Sequence, residues 1–299
     1  MKNNKLAVLA ALVLLAGCAA APEKRISETF QAALQAEKRS DAAALAELAA
    51  DIKPADLAPA ALRAYPEATL DQLYKALRRI ALFTPDSAPN ALRLEEVFEE
   101  KVRRGTFEAD HAEEVYGCLL QARLFHRARA LKERFPAILT RPLPRVVTPD
   151  PLPSGQWLAY DVLDGGSTAK IKSLRLAKGP RVVVVTEPGC VVTSRAMREI
   201  MEDERVGPAF DAAAVLVMRR FDPPAVLEAR AASGLEQVYM ARYSSDFPGV
   251  VFDGSPRFFF LRDGKAVTEL RGWGDGGPGA LRRLRRAMEE IGISLHQAY

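Results

Sequence analysis

Between Pro22 and about Thr140 the apolar positions recur every three or four residues, as at Leu70, Leu73, Leu77, Ile80 and Ala81 and again at Val115, Leu119 and Ala122. That spacing lines one face of an α-helix. Alanine, leucine, glutamate and arginine dominate, all good helix formers, and turn signals fall at Lys53-Pro54, Thr84-Pro85, Ala88-Pro89-Asn90 and Arg104-Gly105. Segments of this length joined by short turns predict a bundle of antiparallel helical hairpins. The pattern then stops. Arg141 to Gly155, RPLPRVVTPDPLPSG, holds five prolines, so residues 141–156 are expected to form an extended, semi-rigid connector between two domains.

From Trp157 onward the apolar runs are short and β-branched. Four consecutive valines, Val182 to Val185, are too few for a helix and predict a strand buried on both faces. Ala212 to Met218 predicts a second buried strand, and RFFFLR and KAVTEL a hairpin turned at Asp263-Gly264. Helical spacing returns at Val192, Ala196, Ile200 and Met201, in Pro223 to Ala232, and in Pro278 to Ile291. The last of these sets Leu281, Leu284, Met288 and Ile291 against Arg282, Arg283, Arg285 and Arg286, a solvated basic face that an anionic surface or partner could also touch. No element is assigned to GLEQVYMARYSSDFPGVVFDG. The fold class expected is an all-helical bundle followed by an α/β domain with a mixed central sheet.

The candidate chemistry sits where the valine run ends. Glu187-Pro188-Gly189 breaks the strand, and Cys190 follows at the junction with the next helix. Unpaired N–H groups and the positive end of a helix dipole favour thiolate over thiol there, which makes the sulfur a better nucleophile.

These residues carry a resemblance. The region from Trp157 to the C-terminus resembles a thioredoxin-like domain of the extracytoplasmic thiol–disulfide group. WLAYDVL and KIKSLRLA flank Asp164-Gly165-Gly166 like that group's leading hairpin, VVVVTEPGC matches its active-site strand and turn, and GSPRFFFLRDGKAVTEL matches the strand pair entered through a cis-proline, here Ser255-Pro256. The resemblance implies a nucleophilic role for Cys190 and a substrate-contacting role for Pro256. It also exposes a departure: the family uses two cysteines separated by two residues, and here Thr193 occupies the second position, so no resolving role carries over. Gly189 stands where an aromatic residue usually precedes the first cysteine.

At the other end, Lys2 and Lys5 precede an apolar run from Leu6 to Leu15 and the sequence Leu15-Ala16-Gly17-Cys18. This run is too short to span a bilayer as a permanent helix, and it has the layout of a targeting segment. LAGC resembles a bacterial lipobox, which implies cleavage of residues 1–17 as a lipoprotein signal peptide and acylation of Cys18, including palmitate. An ordinary secretory signal is the other reading. Ala19 after the cysteine favours, by the same resemblance, anchoring at the outer membrane with the domains facing the periplasm. The domains expected are therefore residues 18–140, helical, and 157–299, thioredoxin-like. The segment ADHAEEVYGCLLQARLFHRARALKERFP resembles a tetratricopeptide-type hairpin, without a second copy at a fixed period.

Composition excludes several functions. Without Lys2 and Lys5, 40 of the 42 basic residues remain against 38 acidic ones, a charge of about +2 that does not suggest a nucleic-acid binder. Three histidines, His111, His126 and His296, lie in no cluster at ligand spacing, no phosphate loop follows a strand, and no serine nucleophile elbow appears. Neither a metal nor a cofactor is expected. With Cys18 acylated, only Cys118 and Cys190 remain as thiols, and they either pair or stay reduced. Cys118, in EEVYGCLLQARLF, reads as a small buried hydrophobe.

The function expected is monothiol thiol–disulfide exchange at Cys190 on a membrane-anchored protein, with a protein partner as substrate. Thr193 would donate a hydrogen bond to the thiolate, and Arg195 or Arg198 could add charge. A peroxidase of peroxiredoxin type is a variant, opposed by Glu187 where a threonine is expected. The rival is a redox-inactive thioredoxin-like scaffold that docks a partner through its helical domain, favoured by the missing second cysteine and by the acidic Glu187, which opposes thiolate formation.

Overall fold

The computed structural model describes residues 22–152 and 155–295. Cys18 and the apolar run before it, together with His296, lie outside the described residues. The chain divides into two compact units between Thr140 and Arg141.

The first unit is helical throughout. It comprises α1 (residues 22–38), α2 (Ala42–Leu48), α3 (Pro59–Ala64), α4 (Glu67–Phe83), α5 (Ala88–Arg104), α6 (Ala109–Gln121) and α7 (Phe125–Arg134), with a 3-10 turn at Pro54–Leu57. The stripes expected from the sequence are its core: Leu70, Leu73, Leu77, Ile80, Val115 and Leu119 are all fully buried. Pro89, one of the turn signals, lies inside the first turn of α5, where its missing N–H costs no hydrogen bond. Gly105 closes the same helix at φ 73°. Lys101 of α5 is 1 % exposed and reaches Glu67 at 3.0 Å and also Asp71, both on α4. Cys118 is buried on α6. The stretch likened to a tetratricopeptide hairpin is a helical hairpin of α6 and α7.

The second unit is a single eight-stranded sheet carrying helices. Its strands are β1 (Arg145–Val147), β2 (Leu158–Leu163), β3 (Thr168–Ser173), β4 (Pro180–Thr186), β5 (Ala214–Met218), β6 (Val238–Ala241), β7 (Arg257–Arg262) and β8 (Lys265–Arg271). Their order across the sheet is β1-β3-β2-β6-β5-β4-β7-β8. β4, β5 and β6 run parallel, β7 runs antiparallel to β4 and β8 antiparallel to β7, and β2 and β3 form the leading hairpin with Leu158 opposite Ser173. This is a thioredoxin-like α/β domain with a mixed sheet. The peptide before Pro256 is cis, and Asp263 and Gly264 both turn with positive φ, as a two-residue hairpin requires.

The helices are α8 (Val191–Met201), α9 (Gly207–Ala213), α10 (Pro223–Ser233) and α11 (Gly277–Glu290). Because side chains alternate across a pleated strand, Val183, Val185, Val215, Val217, Phe259 and Leu261 share one face. There they pack with Trp157, Leu174, Leu176, Phe247, Val250 and Phe252, contributed by loops. Three local differences from the sequence reading stand out. Ala212 and Ala213 belong to α9 rather than to the strand, since Pro208 starts a helix that a run of alanines can continue. The unassigned stretch contains β6. Within the proline-rich stretch 141–156, Arg145–Val147 pairs in parallel with Thr168–Lys170 as an edge strand, a position where flanking prolines are tolerated.

Candidate functional site

Cys190 is the N-cap residue of α8, with φ −68° and ψ 103°. The strand β4 delivers it to the top of the sheet, and the turn at Glu187-Pro188-Gly189, with Gly189 at φ 71°, lets the chain reverse into the helix. Cys190 is half-buried and Thr193, one turn on, is 4 % exposed. The loop before β7 comes to the same place from the far side of the sequence: the Cys190 Sγ lies 3.8 Å from the Ser255 carbonyl oxygen.

Beneath the sulfur lies a group of three hydroxyls. Thr186 Oγ1 donates to Thr193 Oγ1 at 2.8 Å, and Ser255 Oγ lies 3.1 Å from each of them. The Glu187 amide donates to Ser255 Oγ at 3.2 Å. Thr186 gives its proton to Thr193 and the Glu187 amide donates to Ser255, so the hydroxyl protons of Thr193 and Ser255 are left for an acceptor at the edge of the group. The sulfur is that acceptor. Burial pushes the Cys190 thiol up, but hydrogen bonds from the Ser255 and Thr193 side chains and from the Thr193 and Val192 amides outweigh it and hold the thiol below its ordinary value. The contact with the Ser255 carbonyl favours the protonated form, but at 3.8 Å it is the weaker influence.

The structure brings together Cys190, Thr193 and the Ser255-Pro256 peptide, with Pro256 buried. It does not bring the arginines. Arg195 turns away to the Gly274 carbonyl at 2.6 Å, and Arg198 is exposed further along α8. The acidic Glu187 is offset by Arg220 at 3.3 Å. Ser255 and Thr186 are the residues that sequence reasoning missed. Ser255 stood in the motif beside Pro256, and its type was a signal. Thr186 carried none, being one more strand residue.

Two supports fix this site from behind. Arg257, 4 % exposed and next to Pro256, donates to Glu269 Oε1 from Nη2 at 2.7 Å and Nε at 3.0 Å and to the Asp253 carbonyl at 3.2 Å, which ties the loop before β7 to β8. Glu199 of α8 accepts from Trp273 Nε1 at 2.8 Å and from the Gly277 amide at 2.6 Å, so α8 caps the start of α11. Gly276 turns there at φ 76°, a conformation that favours glycine, and a Cβ would also meet the Glu199 carboxylate at 2.7 Å and push it from these bonds.

A groove of about 190 Å³ opens beside Cys190, between α8 and α10. Among the described residues no group of three His, Cys, Asp or Glu side chains could hold a metal ion, and no helix is long and apolar enough to cross a membrane.

No protein-family model matches the sequence, and no curated protein matches it. Two solved structures from Bacteroides are similar. One is the solution structure of a candidate protein disulfide isomerase from Bacteroides thetaiotaomicron, with a TM-score of 0.32 and 21% identity, covering 45% of this chain and 92% of its own. The other is the crystal structure of a thioredoxin-like protein from Bacteroides caccae, with a TM-score of 0.29 and 10% identity, covering 74% of this chain and 80% of its own.

Proposed function

We propose that this protein performs monothiol thiol–disulfide exchange through Cys190. The observation that supports this most directly is the set of donors around the sulfur, the Ser255 and Thr193 side chains and the Val192 and Thr193 amides, which together hold the thiol low. A thiolate at a helix start attacks a partner disulfide: the Cys190–sulfur bond forms, the partner's S–S bond breaks, and its other sulfur leaves as thiolate with the electron pair. Thr193 stabilises the attacking sulfur and has no thiol with which to release the partner. A second, external thiolate, from a small thiol or a protein, therefore attacks the mixed disulfide and regenerates Cys190. The Ser255-Pro256 backbone lines the approach.

The test is the pH dependence of alkylation of Cys190 in a chain carrying Cys18→Ser and Cys118→Ser. The rate should rise tenfold per pH unit and level off well below the free-thiol value of about 8.5. A rate that levels off at or above that value, or no reaction in the folded protein, sinks the reading. It would leave the rival, a redox-inactive scaffold that binds a partner, which the hydroxyl in place of the second cysteine favours.

The same proposal includes acylation of Cys18 and tethering at the outer membrane, facing the periplasm, with the helical unit as a spacer or docking surface for a protein partner. Mass spectrometry of the membrane-fraction protein should find a chain beginning at Cys18 with acyl groups on that residue. An unmodified chain beginning elsewhere overturns the anchor.

A further inference from the structure

The groove beside Cys190 points to the kind of disulfide the thiol takes, an inference that rests on the exchange reading above. It runs from the sulfur down between α8 and α10, and Met197, Leu216, Met218, Ala225 and Ala229 line it. Met197 and Leu216 are 1 % exposed, so its depth reaches the apolar core. The space exists because alanines on α10 stand opposite methionine and leucine. At about 190 Å³ it falls below the ~300 Å³ at which pockets begin to take whole small molecules, and it fits a single side chain. Its rim is acidic, with Glu187 and Glu228 at the mouth. Of these, Glu187 is paired with Arg220 while Glu228 is exposed on α10 and makes no ion pair among the described residues. Val191, the residue after the thiol, is 78 % exposed and adds apolar surface beside the mouth.

We infer that Cys190 selects polypeptide disulfides in which the attacked cysteine adjoins a large apolar side chain and no acidic one. The apolar side chain enters the groove as the sulfurs meet and displaces water from Met197, Leu216 and Met218. A basic residue on the other side of the cysteine meets Glu228. A small-molecule disulfide leaves the groove empty and gains none of this. An acidic neighbour is repelled by the rim.

The test compares mixed disulfides of thionitrobenzoate with the tripeptides Leu-Cys-Lys, Gly-Cys-Lys and Leu-Cys-Glu, using the full chain carrying Cys18→Ser and Cys118→Ser. Cys190 thiolate attacks the peptide sulfur, a Cys190–peptide disulfide forms, and the coloured thionitrobenzoate thiolate leaves with the electron pair. The leucine peptide should react about tenfold faster than the glycine peptide, the scale of an apolar group entering a fitted pocket, and faster than its glutamate counterpart. Ala229→Leu, which fills the groove, should remove the preference, so that the leucine and glycine peptides react at the same rate. Equal rates for the leucine and glycine peptides in the parent protein overturn the groove's role, whether or not the variant folds, and leave the exchange chemistry standing. Release of thionitrobenzoate from none of the peptides overturns the exchange reading and this inference with it.

Discussion

Replacing Ser255 with alanine should slow the alkylation of Cys190 at neutral pH by about tenfold, because a hydrogen bond to a charged group contributes about 1.5–3 kcal/mol and one factor of ten corresponds to about 1.4 kcal/mol. Ser255 acts twice. Its side chain stabilises the sulfur, and its oxygen holds the Thr186 and Thr193 hydroxyls 3.1 Å away in an orientation that serves the same end. Thr193→Val removes a second donor while keeping the shape of the side chain, and should have a similar effect. The sign follows from the chemistry: both changes remove hydrogen bonds made to the thiolate and leave burial, which favours the thiol, unopposed. The Cys190 titration should therefore move up, so that each variant reacts slowly at pH 7 and recovers the parent's rate at high pH. A variant slow at every pH would point to lost access or folding instead. An unchanged profile in both would show that the helix amides alone set the thiol.

Glu269→Ala should destabilise the second unit by about 3 kcal/mol, the low end of what is lost when one partner of a buried ion pair is removed. Arg257 is 4 % exposed, and without Glu269 its guanidinium would keep the Asp253 carbonyl and carboxylate but lose both bonds to the carboxylate on β8. The ring of Phe259, 5.1 Å from the guanidinium, cannot replace a charge. Chemical denaturation measures the loss. Acid provides a second readout. Burial tends to raise the Glu269 carboxyl, but the hydrogen bonds from Arg257 and Arg271 hold it below the ordinary 4.5. A carboxyl that titrates lower folded than unfolded contributes stability above its unfolded value and loses it as pH falls through the folded one. The parent protein should accordingly weaken below about pH 4.5, and Glu269→Ala should weaken less steeply over the same range. A variant as stable as the parent would mean that Asp253 alone suffices for Arg257.

Much of this molecule was written in local patterns. Leu70, Leu73 and Leu77 announced a helix face, and Val182 to Val185 a strand buried on both sides, because each period needs only neighbours in the chain to be recognised. Cys190 was legible for the same reason: a strand, a break and a helix in succession fix its place at a helix start wherever the domain sits. What was not legible is what depends on alternatives of similar local cost. Ala212 and Ala213 suit a helix or a strand, and Pro208 decided for α9. Arg145 to Val147 read as part of a connector until β3 offered it a partner. Arg195 lies on the helix that Cys190 begins, yet packing turned it to Gly274.

The sequence by itself determined the two kinds of unit, the strand, turn and helix around Cys190, and the thiol at the head of α8, all consequences of periodicity and turn chemistry over a few residues. Only the tertiary structure decided that Ser255, 65 residues from Cys190, and Thr186 at the end of β4 meet Thr193 to make a hydroxyl group beneath that thiol, and that alanines on α10 leave a groove beside it. Such meetings follow from strand order and register, which are settled by the burial of the whole sheet, and no short stretch of sequence contains them.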